Sequence, residues 1–163
     1  MALDRAPAAA FSHLAEAANL PAPHTGAEER PAGDWAIHIQ ALPYHSVRGG
    51  LYITSSFLRY LVTLPPRREP MLRYDIHWDA FSLNKEISKS AEHVEAIFTF
   101  MVGHRAELEC SLCQNGRGVF PFCVVVGYEY GQSECSNCIW QRDIDGCWLL
   151  GERGQQFSEY VLL

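Results

Sequence analysis

Six cysteines confined to one short stretch, positions 110 to 147 of a 163-residue chain, constrain this sequence more than any other feature. Cys110 and Cys113 form a close pair, and Cys123 follows after nine intervening residues. Eleven residues on, Cys135 and Cys138 form a second close pair, and Cys147 follows after eight. A C-x2-C unit lets one tight turn present two thiolates to one metal ion at about 2.3 Å. Two such units in one segment make tetrahedral Zn2+, one ion or two, the leading expectation.

Three uses of the six sulfurs follow from this spacing. In the first, Cys110, Cys113, Cys135 and Cys138 hold one Zn2+ while Cys123 and Cys147 are buried thiols. The 21 residues between the pairs then slightly exceed the roughly 15 to 20 usual for two linked C-x2-C units. In the second, all six thiolates hold two ions with two sulfurs bridging, and the pair-single-pair-single layout is similar to that of fungal Zn2Cys6 clusters, although the first interval is longer here. In the third, the six form three disulfides. The amino terminus bears on this choice. Asp4 and Arg5 precede an Ala-rich run interrupted by His13 and Glu16, so no clean apolar segment of a secretory signal follows a positive start. No stretch approaches the ~20 apolar residues of a membrane span. The expected location is intracellular, nuclear or cytoplasmic, where reducing conditions disfavour disulfides and favour metal ligation. A secreted disulfide-rich effector is the alternative.

The apolar fraction of 48% is ordinary for a chain that buries a core. The net charge of −6 disfavours non-specific contact with nucleic acid or anionic lipid. Residues 1–33 read as a flexible tail: an Ala-rich weak helix over 6–20, then a linker with three prolines and two glycines. Residues 34–103 read as an α+β region. Trp35, Ile37 and Ile39 alternate with polar or small residues, which predicts a half-buried strand. Gly49-Gly50 predicts a turn, and the following run to Val62 fits a strand or, through Phe57, Leu58, Leu61 and Val62, a helix. Arg67 and Arg68 read as solvated loop charges. Ile87, Ala91, Val94, Phe98 and Met101 form one continuous apolar stripe, predicting an amphipathic helix over 84–102 with Ser82 as its N-cap and Gly103 as its stop. Residues 104–151 form the cysteine-rich module, with short strands at 122–126 and 147–150 and a reversal over 127–132. Residues 152–163 are a C-terminal segment.

Enzymatic readings find little support in the residues. His93-Val-Glu95 followed by Cys110 and Cys113 has the order of a zinc deaminase site, with Glu95 as proton shuttle. Only fourteen residues separate Glu95 from Cys110, and Glu109 stands where that motif has proline. His104 is a candidate fourth ligand of an open site, and His77-Trp78-Asp79 a candidate imidazole–carboxylate pair without a nucleophile. Four thiolates around Zn2+ leave no position for water, and such a site is structural. The expectation is a non-enzymatic protein. The module carries three arginines against six acidic side chains, so DNA binding by it is disfavoured. A protein partner is expected, with Arg117, Tyr128, Tyr130, Trp140 and Arg142 as candidate contact residues, because aromatic and Arg side chains anchor interfaces.

The run CSLCQNGRGVFPFCVVV from Cys110 to Val126, followed by ECSNC from Glu134 to Cys138 and then Cys147, resembles a cysteine-rich domain of unknown function found across filamentous fungi. The shared pieces are C-x2-C, G-x-G, an aromatic, C-V-V and C-x-N-C, over roughly residues 104 to 150. The resemblance implies a fungal source and a zinc-binding-like module, and brings no catalytic residues with it. The combined expectation is an α+β protein, small strands plus one amphipathic helix leading into a zinc-stabilised module, possessing an accessory role in transcriptional or other regulation.

Overall fold

The computed structural model describes residues 19–42, 55–127, 134–142 and 147. The Ala-rich helix over 6–20, the Gly49-Gly50 turn, the reversal over 127–132, the strand over 147–150 and the segment 152–163 lie outside these residues, apart from their edges. Tyr128 and Tyr130 also lie outside them. The described chain is α+β: six helices and four two-residue strands, with the cysteines gathered at its C-terminal side.

The chain enters through β1 (His24–Thr25), continues into α1 (Asp34–Ala41) and α2 (Ser56–Leu61), and reaches β2 (Met71–Leu72). Helices α3 (Ala80–Ile87) and α4 (Ala91–Val102) lead to β3 (His104–Arg105), α5 (Ser111–Gln114), β4 (Val124–Val125) and α6 (Ser136–Gln141). The first two strands pair in parallel, His24 with Met71 and Thr25 with Leu72. The last two pair antiparallel, His104 with Val125 and Arg105 with Val124.

Helix α4 is the hub. Every residue from Val94 to Val102 is buried, as expected of a helix covered on all sides, and α2, α3, α6 and β4 pack around it. The predicted stripe is real but spans two helices rather than one. Asp79 caps α3 by accepting from Ser82 N–H, and Ser90 caps α4 by accepting from His93 N–H. Between them Ser88 Oγ donates to the Asn84 carbonyl at 2.8 Å and ends α3. A three-residue break hardly disturbs the apolar spacing, so periodicity alone runs straight through it.

Three expectations are corrected around the first turns of the fold. The Trp35–Ile39 stretch is helix, not strand: Trp35, Ala36 and Ile39 are buried on one face, and Ile37 is 65% exposed. A distant side chain decides this. The buried Glu69 carboxylate accepts from Trp35 N–H at 3.0 Å and Ala36 N–H at 2.8 Å, satisfying first-turn donors that no local residue caps. Arg68 is likewise buried rather than solvated. It donates to the carbonyls of Phe100 at 2.6 Å and Gly103 at 3.0 Å, closing the C-terminal end of α4, and pairs with Glu29. The segment expected to be a linker is held against the domain through β1, the Glu29–Arg68 pair and a Trp35 Nε1–H bond to the Pro21 carbonyl. The Phe57–Val62 run resolves as the helix α2 plus its cap, Ser55 accepting from Leu58 N–H.

Glu69→Ala removes two charge-assisted bonds and strands two buried donors, so it should lower unfolding free energy by about 2–4 kcal/mol. Glu29→Ala, at the exposed end of its pair, should cost about 1 kcal/mol or less. Urea titration of both variants checks the contrast.

Candidate metal centre

The two close cysteine pairs adopt one local structure twice. Cys110 and Cys135 are the N-cap residues of α5 and α6, with φ, ψ of −67°, 164° and −78°, 160°. Each carbonyl accepts from the residue four positions on, Gln114 N–H at 2.9 Å and Ile139 N–H at 3.0 Å. The extended cap followed by helical turns folds Cys113 and Cys138 back beside the first cysteine of their pair. This is the physical content of the C-x2-C spacing.

The remaining two cysteines come from elsewhere. Cys123 directly precedes β4, and its carbonyl accepts from Ala106 N–H at 2.9 Å, which ties it to the β3 side of the hairpin. Cys147 is placed by its sulfur, which accepts from Cys135 N–H at 3.4 Å. All six are free thiols, buried except for Cys113, which is half-buried.

Their sulfurs form two groups of four, Cys110–Cys135–Cys138–Cys147 and Cys110–Cys113–Cys123–Cys135, each with all sulfurs within 4.8 Å of one another. Cys110 and Cys135 belong to both. Sulfur separations are 3.7 Å for Cys110–Cys135, 3.8 Å for Cys110–Cys138 and 3.7 Å for Cys113–Cys135. A tetrahedron of sulfurs each about 2.3 Å from its centre has edges of about 3.8 Å. A disulfide would bring two sulfurs to about 2.05 Å. The donor set therefore fits a metal ion at the centre of each group. Cys123 and Cys147 each lie in one of the two groups, so neither stands apart from the sulfur cluster.

The sulfurs sit in one connected field. Cys113, Cys123, Cys135 and Cys138 direct hydrogen bonds at Cys110 and hold its thiol far below the ordinary range. Cys123, Cys138 and Cys147 are pushed up, first by that same neighbour and further by burial.

One residue overlooked by sequence reasoning holds the site together. Asn137, between the cysteines of the second pair, is buried and uses both ends of its amide on Phe120. Its Oδ1 accepts from Phe120 N–H at 2.8 Å, and its Nδ2 donates to the Phe120 carbonyl at 3.1 Å. The same Nδ2 lies 3.4 Å from Cys113 Sγ and donates to it. Donors of this kind orient ligands and temper their charge. The loop fits around this amide only because residue 118 is glycine: its φ is +98°, and a Cβ there would lie 2.4 Å from Asn137 Oδ1. The G-x-G and C-x-N-C pieces of the sequence are thus two sides of one contact. A polar amide flanked by paired cysteines was the available signal.

The other candidates are distributed differently. Trp140 is buried, not an exposed contact: its ring stacks on His93 with centroids 3.9 Å apart and packs near Trp78 and Phe120. Arg117 is exposed in the loop between α5 and β4. Arg142 is exposed after α6 and pairs with Glu92 at 2.8 Å. His104 is exposed, with Nδ1 3.3 Å from the Arg67 guanidinium, and Asp79 serves as the α3 cap. His93 turns Nδ1 to the Glu86 carbonyl, and Glu95 accepts from the Ser55 hydroxyl. Among the described residues, both four-membered groups consist of cysteine alone.

Two predictions follow from these contacts. Gly118→Ala should destabilise by about 3 kcal/mol or more, because it combines backbone strain with a clash on a buried amide. Gly127→Ala, with nothing within 4 Å, should change little. Thermal melts of the two variants give the comparison. Burial, aided by the nearby Glu92 charge, raises the Glu95 carboxyl above its usual range despite the Ser55 bond. A raised folded-state value means the stability linked to its proton is present at low pH and lost as pH rises through that value. Glu95→Gln should therefore melt higher than the parent at pH 8, with the difference shrinking toward the ordinary carboxylate range.

No curated protein and no solved structure matches the chain. Residues 96–149, a third of the chain running from within α4 to just past Cys147, match the family model described as a protein of unknown function (DUF3716), which covers the same cysteine-rich stretch that the motifs single out.

Proposed function

We propose that residues 104–151 form a binuclear zinc module, each ion held by four thiolates and Cys110 and Cys135 bridging, and that the protein is a non-enzymatic interaction protein. The observation that carries this reading is the sharing of two sulfurs between two groups of four. All-sulfur tetrahedral sites suit zinc or iron–sulfur clusters. Iron–sulfur clusters join their metals through inorganic sulfide and take separate thiolates, whereas here two cysteine sulfurs lie in both groups. Zinc fits that arrangement.

Two closed sites offer no position for an activated water, which argues for a structural role. The module needs one. On the sulfur side its cluster of buried residues is the cysteines with Leu112, joined by partly buried Ala106 and Val125, so metal–sulfur bonds would supply the cohesion of that face. No helix among the described residues is long and apolar enough to cross a membrane. A reducing compartment, nucleus or cytoplasm, suits thiolate ligands. The exposed Arg117 and Arg142, with Tyr128 and Tyr130 nearby in sequence, are the contact residues for a protein partner, in transcriptional or other regulation. The acidic balance of the module argues against duplex DNA.

Elemental analysis of the purified chain should return two zinc ions per molecule, and native mass spectrometry should show the same. Cys135→Ser should abolish both sites and unfold the module, while Cys147→Ser should leave one ion bound. A chain with no zinc, or one whose near-UV circular dichroism ignores chelator, overturns the reading.

A further inference from the structure

The two groups of sulfurs differ in their access to solvent. Cys110, Cys135 and Cys138 are fully buried and Cys147 is 2% exposed, so the group they form is enclosed. The other group contains Cys113, the one half-buried cysteine. Cys113 lines a cleft of about 230 Å3 with an apolar wall of Phe120 and Pro121 and with Arg73 and Arg117 among its lining residues. That is smaller than the roughly 300 Å3 at which pockets begin to enclose drug-sized molecules. It suits a small chelating ligand rather than a drug-sized one.

Cys113, like Cys123, Cys138 and Cys147, is not shared between the groups. It belongs to a single group, so its thiolate can yield a coordination position without touching the second ion. Its sulfur accepts from Asn137 Nδ2, and both side chains line the cleft, so an incoming donor there meets the sulfur directly. The cleft carries two guanidinium groups in a chain whose net charge is −6. The Arg73 guanidinium is engaged by Asp75 at 3.1 and 3.2 Å, while Arg117 stands exposed. Cationic clefts concentrate small anions and speed their arrival.

We propose that this cleft is the metal-exchange port of the centre. Small anionic chelating ligands reach the ion of the Cys110–Cys113–Cys123–Cys135 group through it, loading and withdrawing that ion, while the enclosed ion stays in place. This rests on the binuclear zinc reading and goes beyond it by making the two ions unequal.

The test uses the full chain carrying two zinc ions, mixed with excess nitrilotriacetate, an anionic chelator, while released zinc is read colorimetrically. Release should occur in two phases of one ion each, with rates separated by about tenfold or more. Iodoacetamide added after the first phase should label Cys113 and Cys123 ahead of Cys138 and Cys147, by peptide mass mapping. Arg117→Glu, an exposed substitution, should slow the first phase by about tenfold with nitrilotriacetate. With the neutral chelator 1,10-phenanthroline, similar in size to nitrilotriacetate, it should not slow it. A single phase releasing both ions, early labelling of Cys138 or Cys147, or equal rates for Arg117→Glu and its parent overturns the port. A purified chain that holds fewer than two zinc ions overturns the binuclear reading itself, and the metal count distinguishes the two failures.

Discussion

The sharing of Cys110 and Cys135 between two sulfur groups is the constraint on which the rest of the module depends. Both residues cap short helices, so placing their sulfurs 3.7 Å apart fixes the starts of α5 and α6 against each other. Each helix then brings its second cysteine to a different group, and the single cysteines 123 and 147 complete the two sets. A four-residue helix such as α5 has no stability of its own in water. It exists because its N-cap Cys110 and its third residue Cys113 are held by sulfur contacts and because Asn137 pins the loop that follows it.

The protein divides its cohesion between two kinds of interior. From Trp35 to Val102 the interior is apolar and centred on α4, with Phe98, Phe100 and Met101 fully buried. The module contributes Phe120, Phe122, Ile139 and Trp140 to that same core, so one face of it is anchored by aromatic packing. Its other face is the sulfur cluster. Trp140 mediates between them, stacked on His93 of α4 while lying two residues beyond Cys138.

Charged side chains at α4 and α1 complete this arrangement. Arg68 and Glu69 are adjacent, both buried, and each satisfies a helix end: Arg68 a last-turn carbonyl and the C-cap carbonyl of α4, Glu69 the first amides of α1. The Arg68 guanidinium also lies over the Phe100 and Phe122 rings, at 5.7 and 6.0 Å from their centroids. Buried charges are tolerated when their hydrogen bonds are filled in this way. Nothing in the local sequence distinguishes these two from solvated loop charges, because their partners lie about 30 residues away along the chain.

The cysteine spacing, the α3–α4 apolar stripe and the Gly103 stop were legible in the sequence, because each depends on residues within a few positions of one another. Spacing in one dimension states that six sulfurs can converge. It does not state how four-membered groups are drawn from six, and both metal schemes fitted it. Likewise, alternation at Trp35, Ile37 and Ile39 matched a strand until the Glu69 carboxylate supplied the missing cap, and a proline-rich stretch resembled a linker until its backbone found β2. The sequence by itself determined which residues have metal-binding chemistry and where the main helical stripe runs. Tertiary structure alone decided which sulfurs are common to both groups, which cysteine faces solvent, and that Asn137 needs a glycine at 118, since those are distances between segments that no local pattern encodes.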